Sequence, residues 1–364
     1  MPSLFDSYKL GNLMLKNRIV MAPMTRSRSP DLSPSAATVL YYQQRASAGL
    51  IVTEGAPISE ESRGQAFTPG IYTPDQINQW KKVTEAVHSK GGVIFMQLWH
   101  VGRASHVSLQ PGRGAPVSSV AKRGENQVAY AFDENGEARP LPQSEPRALA
   151  TEEVPRVTRD FVQAAKNAMT AGFDGIEIHG ANGYIFEQFI NGGLNNRTDR
   201  YGGSIENRIR FALETVDAIA AAIGKEKVGI RLAPYGRFGD MHAFHDEEET
   251  WLTMAKELSS RNIAYVHISD QHSLGQQAIS KDFTDKFREA YRGTLIVAGG
   301  YDKESGQRVL DTNRADLIAI GRPFIANPDL VERMKNGWPL AEPDRKTFYG
   351  GGEQGYIDYP FYED

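Results

Sequence analysis

The chain has 364 residues, of which 40% are hydrophobic and 24% charged, so it can bury a large core and is not expected to be disordered. Its formal net charge is −4 and no basic run stands out, which argues against nucleic acid or an anionic membrane surface as a partner. It has no cysteine, which excludes disulfides, thiolate metal sites and cysteine nucleophiles.

The N-terminal residues show no signal-peptide pattern, and no apolar run approaches the length of a membrane span. The sequence therefore predicts a soluble, cytoplasmic protein. Residues Lys9–Lys16 form a short alternating pattern around a Gly-Asn pair. This pattern predicts a small β-hairpin, which we expect to close the bottom of the fold.

Short apolar strands then alternate with longer amphipathic segments. Thr73-Pro74-Asp75-Gln76 is a capping box with proline at the first helical position. Asp246 with Glu249 is a second start of the capping-box type, and Asn327-Pro328 begins the last helix. One apolar stripe runs through a helix at Arg208–Ile223. The eight strand candidates are Arg18–Met24, Leu50–Gly55, Val93–Trp99, Gly175–His179, Val228–Ala233, Tyr265–Ser269, Leu295–Gly299 and Leu317–Gly321.

Eight strand–helix units with no composition break predict an α/β fold, a closed (β/α)8 TIM barrel that forms a single domain over residues 1–364. The alternative is a doubly wound sheet. It would usually have fewer strands, and no G-x-G-x-x-G motif stands at a strand–helix junction.

Two segments do not fit the repeating unit. Residues 100–150 are too long for an ordinary loop after the third strand, and they include a turn at Phe132–Gly136. We interpret them as an excursion over the barrel mouth, either a lid or an ordered insertion with no role. Residues 341–364 form a polar and aromatic tail whose aromatic residues favour packing onto the barrel.

Polar side chains collect where several strands end. Thr25 follows the first strand, Gln97 and Trp99 end the third, and Arg231 lies in the fifth. The fourth strand ends at His179, with Asn182 and Tyr184 just beyond it. An unpaired amide inside a barrel costs about 1–3 kcal/mol, and a charge costs more. The pattern therefore predicts a bound ligand, and the alternative is that these residues pair with one another as internal struts.

The seventh and eighth strands end in Gly299-Gly300 and Gly321-Arg322. Loops at these positions often bind phosphate in such barrels, and glycines let backbone N–H groups approach it. Taken alone, these residues fit ordinary turns, with Arg322 paired to an acid, equally well. Together with Gln97 and Arg231 they predict a phosphorylated cofactor, and flavin mononucleotide, pyridoxal phosphate and a phosphorylated sugar are the candidates.

The remaining histidines do not predict a metal site. His242 and His245 fall in a loop after the fifth strand, where such a pair is usually solvated. His267 lies within the sixth strand and His272 follows it. We assign no metal ion.

Several stretches together resemble the old yellow enzyme family of flavin-dependent ene-reductases. The resemblance extends from the first strand to near the C-terminus. It is most specific in the His-x-x-Asn-x-Tyr stretch and the Tyr-Gly-Gly-Ser-x-Glu-Asn-Arg run that follows. The matching stretches are Ala22–Ser27, Gln97–His100, Asp174–Tyr184, Asn196–Arg208, Gly229–Pro234 and Gly321–Asp329.

The resemblance implies non-covalent FMN in the barrel, with Thr25 hydrogen-bonded to the isoalloxazine. Gln97 and Arg231 would bind its pyrimidine part, and the positive charge of Arg231 would favour flavin reduction. Family members carry Cys or Thr beside the flavin, and this chain has Thr25. The full set of cofactor residues it implies is Pro23, Met24, Thr25, Gly55, Gln97, Arg231, Gly299, Gly300, Gly321 and Arg322.

The resemblance further implies an NADPH- or NADH-dependent reduction of activated C=C bonds in α,β-unsaturated carbonyls, and also of nitroalkenes or nitrate esters, by ping-pong kinetics. His179 and Asn182 would bind the substrate's carbonyl oxygen, and Tyr184 would donate the proton. Trp99 and Tyr349 would shape the substrate pocket. We expect a monomer or a homodimer.

Two other functions remain open at this point. A flavin-free barrel hydrolase or aldolase would use His179 with Glu177 or Asp270. A flavin-binding sensor would hold FMN without turnover. The loops 237–245 and 270–277 match no family pattern, although we expect them to border the pocket.

Overall fold

The computed structural model of the protein describes residues 2–363, which form an eight-stranded parallel barrel with helices between the strands. The strands are β1 (Tyr8–Leu10), β2 (Leu13–Leu15), β3 (Ile19–Met21), β4 (Leu50–Pro57), β5 (Ile94–Trp99), β6 (Val117–Ser118), β7 (Val128–Phe132), β8 (Ala138–Pro142), β9 (Arg147–Ala148), β10 (Gly175–Gly180), β11 (Val228–Leu232), β12 (Tyr265–Ser269), β13 (Leu295–Ala298) and β14 (Leu317–Ile320). The helices are α1 (Ala36–Gln44), α2 (Pro74–Ser89), α3 (Val154–Thr170), α4 (Ile185–Ile190), α5 (Ile205–Ile223), α6 (Glu247–Arg261), α7 (Lys281–Ala290), α8 (Lys303–Asp311), α9 (Arg322–Ala326) and α10 (Leu330–Asn336).

The closed barrel runs in the order β3, β4, β5, β10, β11, β12, β13 and β14, and β14 pairs back onto β3. All eight predicted strands are present, so the predicted (β/α)8 barrel is confirmed. Alternate residues of each strand face the interior. Near the N-terminal ends these residues are apolar, and towards the C-terminal ends of β5, β10, β11 and β12 they are polar.

The N-terminal hairpin closes the bottom of the barrel, as predicted. β1 and β2 pair antiparallel, and the side chains of Leu10 and Leu15 are completely buried. Both leucines belong to the apolar cluster that fills the barrel interior, together with Val20, Phe95 and Leu317. The hairpin is therefore part of the barrel core.

Several predicted boundaries were wrong. The first barrel strand is Ile19–Met21, shorter than predicted, so Pro23–Thr25 lie in the loop above it. Helix α5 begins at Ile205, where the hydroxyl of Ser204 accepts the N–H of Asn207. Asn327 ends α9, and its side-chain amide donates to the carbonyls of Pro323 and Ala341, so the last helix begins only at Leu330.

The helix start predicted at Asp246 is confirmed, but the predicted capping box is not formed. Asp246 precedes α6, but its carboxylate makes no capping bond to the helix. Both of its oxygens instead accept a hydrogen bond from Arg208 at 2.9 Å. Arg208 is buried, and the ion pair neutralises its charge.

The excursion after β5 carries its own small sheets. β7 and β8 form an antiparallel hairpin around a turn in which Asp133 accepts two backbone N–H groups, and β6 pairs with β9. Arg103, at its start, donates to the carbonyl oxygens of Gly239 and Asp240. The excursion thus contacts the loop that follows β11. None of the helices within residues 2–363 has the length and apolar character needed to cross a membrane.

Candidate active site

The carboxyl ends of β5, β10, β11 and β12 bring a layer of polar side chains into the barrel. Strand pairing sets Gln97 beside Glu177, His179 beside Arg231, and Arg231 beside His267. Each of these five side chains is on the inward-facing parity of its strand and is at most 9% exposed. The sequence prediction that several strand ends share one interior site is consistent with this register.

Three of these residues form a hydrogen-bonded chain. The Nε2 of Gln97 donates to one oxygen of Glu177 at 2.8 Å, and the Nδ1 of His267 donates to the other at 2.8 Å. Burial and the nearby Arg231 lower the pKa of His267, while the neighbouring His267 and Arg231 lower the pKa of Glu177 against the opposing effect of burial. The histidine is therefore neutral and the glutamate charged. For the Gln97 amide nitrogen, the internal-strut interpretation is correct.

Arg231 is different, because its buried Nε finds no hydrogen-bond partner among the residues that the structure describes. Burial lowers its pKa, and the charge of Glu177 partly offsets that effect. A buried guanidinium with a free donor is costly unless a ligand accepts from it. Since the Gln97 nitrogen is bonded to Glu177, the amide oxygen of Gln97 is left as an acceptor. The site thus offers a donor and an acceptor on neighbouring strands.

His179 is a neutral hydrogen-bond donor. Its Nδ1 accepts the backbone N–H of Ala181 at 3.4 Å, so the proton resides on Nε2. Burial, together with the charge of Arg231, holds its pKa well below the usual value. The imidazole therefore does not charge at neutral pH, and its Nε2–H, which has no hydrogen-bond partner among residues 2–363, is available to a ligand.

Tyr184 packs beside this histidine. Its ring lies edge-on to His179, with centroids 4.8 Å apart, and edge-on to Trp99 at 5.1 Å. Burial raises the pKa of the Tyr184 hydroxyl, and the nearby hydroxyl of Tyr349 adds to that rise. The phenol therefore keeps its proton at neutral pH. Tyr349 itself is 66% exposed, at the rim.

The turn between His179 and Tyr184 is held from below by α4. Asn182 and Gly183 have left-handed φ angles of 58° and 74°, which a tight turn requires. The N–H of Gly183 donates to Glu187 at 2.8 Å, and Gln188 donates to the carbonyl of Gly183 at 2.7 Å. These bonds fix the backbone that carries Asn182.

The loop above β3 lines one side of the pocket. Pro23, Met24 and Thr25 are all partly buried, and Met24 lies 3.5 Å from the position that a Cβ on Gly321 would occupy. Gly55, on β4, is explained by the packing of Trp99 and needs no cofactor to account for it. A Cβ there would lie 2.8 Å from the ring of Trp99, so the glycine leaves room for that ring.

The predicted phosphate-binding residues lie at the ends of β13 and β14. Gly300 has a φ of +82°, and a Cβ on Gly299 would lie 2.9 Å from the Cβ of Asp270. Arg322 is exposed and donates to the carbonyl oxygen of Ser273, and no ion pair joins it to an acid among residues 2–363. The alternative in which Arg322 is neutralised by a carboxylate is not observed.

These features fit FMN. The orphaned Arg231 donor and the free Gln97 acceptor match the carbonyl and imide edge of a flavin, and the glycine turns with Arg322 match a phosphate. Neither Glu177 nor Asp270 hydrogen-bonds to His179. Glu177 is bonded to Gln97 and His267, and Asp270 accepts the N–H groups of His272 and Ile279. The carboxylate–histidine pair of a hydrolase is therefore not formed.

Sequence reasoning missed two buried residues at this site. His267 was noted only as lying within a strand, although its alternation with Tyr265 placed it on the inward-facing parity. Gln271, in the loop after β12, gave no sequence signal. It is 3% exposed and donates to Asn182.

The chain resembles known flavin enzymes over its whole length. The family model described as "NADH:flavin oxidoreductase / NADH oxidase family" matches residues 3–341. A putative 12-oxophytodienoate reductase 11 of Oryza sativa subsp. japonica is 44% identical over 98% of this chain and 97% of its own. The 12-oxophytodienoate reductase 2 of Arabidopsis thaliana is 43% identical over 99% of this chain and 96% of its own.

Solved structures agree. Morphinone reductase in complex with tetrahydroNAD is 48% identical and superposes with a TM-score of 0.97, covering 100% of this chain and 99% of that one. An old yellow enzyme homologue from Zymomonas mobilis is 38% identical with a TM-score of 0.93, over 99% of both chains. The protein is an oxidoreductase that uses FMN and a nicotinamide coenzyme, and it belongs to the NADH:flavin oxidoreductase / NADH oxidase family, the family of the old yellow enzyme.

Proposed function

We propose that the protein reduces the activated C=C bond of α,β-unsaturated carbonyl compounds, with His179 and Asn182 binding the carbonyl oxygen and Tyr184 supplying the proton. The observation that carries this proposal is the group of neutral donors around one pocket. His179 offers Nε2–H, and Tyr184 keeps its hydroxyl proton beside it. Nitroalkenes and nitrate esters belong to the same proposal, because their oxygens accept the same hydrogen bonds.

FMN, held by the residues of the barrel mouth, would supply the hydride-transfer chemistry that links the nicotinamide coenzyme to the β-carbon of the alkene. The residues of the chain act on the other end of the substrate. Hydrogen-bond donors at the carbonyl oxygen stabilise the negative charge that develops there. An ionised carboxylate at the same position would repel that charge. The hydroxyl of Tyr184 then protonates the α-carbon.

The cofactor roles proposed for the loop residues follow from their positions. Thr25 would face the isoalloxazine, and Arg231 would place positive charge where the reduced cofactor gains negative charge. Gly300, Gly321 and Arg322 would bind the phosphate. Trp99 packs on His179, with centroids 6.3 Å apart, and would form the pocket wall opposite Tyr349. The excursion of residues 100–150 would border the mouth through its contact with the loop after β11.

An anaerobic absorption spectrum tests this proposal. Purified protein is expected to be yellow, to bleach with NADPH or NADH, and to recolour with 2-cyclohexenone. Cyclohexanone, which lacks the alkene, is the control and should leave the protein bleached. Comparing the two coenzymes in the first step also gives the preferred reductant.

The other outcomes separate the alternatives. Protein that bleaches and does not recolour with any enone or nitroalkene contradicts the proposed substrate class. Protein that holds FMN and does not bleach with either coenzyme favours a sensor.

A further inference from the structure

Gln271 lies at the start of the loop after β12, buried at 3% exposure. Its amide oxygen accepts two backbone N–H groups from the loop after β11, that of Arg237 at 2.8 Å and that of Phe238 at 3.0 Å. Backbone N–H groups only donate, so the end of the amide that faces them must be the oxygen. The amide nitrogen of Gln271 therefore faces the opposite way.

That nitrogen donates to the side-chain oxygen of Asn182 at 3.2 Å. The two ends of an asparagine amide have nearly the same shape, so hydrogen bonds and not packing decide which end points where. Since its oxygen is engaged by Gln271, Asn182 is left with its NH2 group for another partner. The backbone of the loop after β11 thus sets the direction of two successive amides.

We propose that Gln271 is a positioning residue that fixes the amide of Asn182 so that it presents N–H, and not C=O, to the oxygen of the substrate. This inference rests on the proposed function, in which Asn182 is one of the two donors to that oxygen. If the Asn182 amide were reversed, its oxygen would face the carbonyl oxygen of the substrate. Two hydrogen-bond acceptors would then repel each other in place of a donor–acceptor bond. Gln271 therefore selects for substrates that carry an acceptor at this position.

The surroundings hold Gln271 in place. A Cβ on Gly236 would lie 2.7 Å from the Nε2 of Gln271, so the glycine leaves room for the amide. The backbone that supplies the two N–H groups is itself anchored, because Arg237 makes a bidentate ion pair with Glu247 at 2.8 and 2.9 Å. The direction of Gln271 is therefore set by fixed neighbours.

The variant Gln271→Glu tests the proposal. A carboxylate still accepts the two backbone N–H groups, but it has no N–H to give to Asn182 and instead accepts from its NH2 group. Asn182 should reverse, and kcat/KM for 2-cyclohexenone should fall about tenfold or more. In the Asn182→Ala background the same substitution should cause no further loss, since there is no amide left to orient.

Additive losses in the two backgrounds, or an unchanged kcat/KM in the single variant, would overturn the proposal. Gln277→Glu is the matched control, because Gln277 is exposed on the same loop and the charge change is the same. FMN content and melting temperature monitor folding. If Gln271→Glu does not fold, Gly236→Ala displaces Gln271 sterically and should show the same dependence on Asn182.

A second readout does not depend on turnover. The side-chain NH2 resonances of Asn182, assigned by their loss in Asn182→Asp, should shift in Gln271→Glu and not in Gln277→Glu. Unshifted resonances would contradict the proposal even if the wild-type protein reduced no enone. A wild-type protein that is inactive but shows the shift would instead contradict the proposed function alone.

Discussion

Tyr184 shows how one side chain combines packing with chemistry. Its ring fills the space between His179 and Trp99, and a tyrosine in such a position is ordinarily a core residue with a satisfied hydroxyl. Here burial raises the pKa of the hydroxyl above its ordinary value. The phenol therefore keeps its proton throughout the neutral range, as its proposed role of proton donor requires.

Tyr184→Phe should keep the ring packing and remove only the proton. We expect FMN reduction by NADPH to be unchanged, and reoxidation by 2-cyclohexenone to slow by about 100-fold or more. Stopped-flow measurement of the two half-reactions separates the steps. Tyr362→Phe is the control, because it removes a hydroxyl from a tyrosine whose ring stacks on Trp338 in the C-terminal segment. Equal reoxidation rates in wild type and Tyr184→Phe would rule out the proton-donor role.

Glu187 is a buried acid beneath the Asn182–Tyr184 turn. Burial raises its pKa from the usual 4.5 to about 8, against the opposing effect of the Gly183 N–H that its carboxyl accepts. The folded protein thus holds a proton that the unfolded chain releases near pH 4.5. Its contribution to stability is complete below that pH and is lost as the pH rises towards 8.

Glu187→Gln keeps an oxygen for the Gly183 N–H and removes the titration. We expect the free energy of unfolding of the wild type to fall, relative to this variant, by a few kcal/mol between about pH 5 and pH 8. Urea denaturation across that range measures the difference. Glu152→Gln, on the surface, is the control. Parallel pH profiles for wild type and Glu187→Gln would show that Glu187 titrates normally.

At the level of elements, the C-terminal segment is tied to the loop that carries Thr25. Arg26 donates to the carbonyls of Phe348 and Gly355, and Arg28 donates to those of Thr347 and Gly352. Further along the segment, Tyr356 stacks on Tyr41 of α1 with centroids 4.3 Å apart. The tail therefore packs against the barrel, and Tyr349 is carried on a segment whose backbone is fixed at both ends.

Arg28→Ala should release this segment without disturbing the barrel. We expect trypsin to cleave after the exposed Lys346 at least several-fold faster, and KM for the enone to rise while FMN remains bound. Arg113→Ala, which alters an exposed arginine in the excursion, should change neither quantity. Cleavage rates followed by mass spectrometry give the answer, and an unchanged rate would mean that the remaining contacts hold the tail by themselves.

At the level of the whole molecule, the barrel is divided between two tasks. Its N-terminal end is filled by apolar side chains and closed by the hairpin, while its C-terminal end carries the polar layer. Stability and chemistry are thus located at opposite ends of the same strands. Substitutions at the N-terminal end of the barrel should therefore lower stability and leave catalysis unchanged.

Leu15→Ala should lower the free energy of unfolding by about 2–4 kcal/mol, because it opens a cavity in the core where the hairpin closes the barrel. We expect kcat/KM and FMN affinity to remain at wild-type values. Met14→Ala, at a neighbouring position that is 63% exposed, should change stability little. Urea denaturation and steady-state kinetics on the same samples compare the two ends, and lost FMN binding would show that they are coupled.

The sequence predicted the barrel, its eight strands and the hairpin, because apolar periodicity and capping signals are local. The sequence could not predict which way an individual side-chain amide points, because this depends on contacts between residues far apart in the chain. The Gln97–Glu177 bond spans 80 positions in the chain, and Gln271 reaches Asn182 across 89. The predicted start of the last helix was wrong because Asn327, expected to begin it, instead ends the preceding helix.

The hydrogen-bonded chain Gln97–Glu177–His267 has a consequence for folding in the absence of FMN. Both oxygens of Glu177 are bonded to residues of the barrel itself, and its negative charge stands close to Arg231. The interior is therefore largely balanced in charge before any ligand enters, so we expect the polypeptide to close its barrel during synthesis and to wait for FMN. We therefore expect apoprotein to accumulate when flavin is scarce, so that the amount of active enzyme follows the supply of flavin as well as the rate of translation.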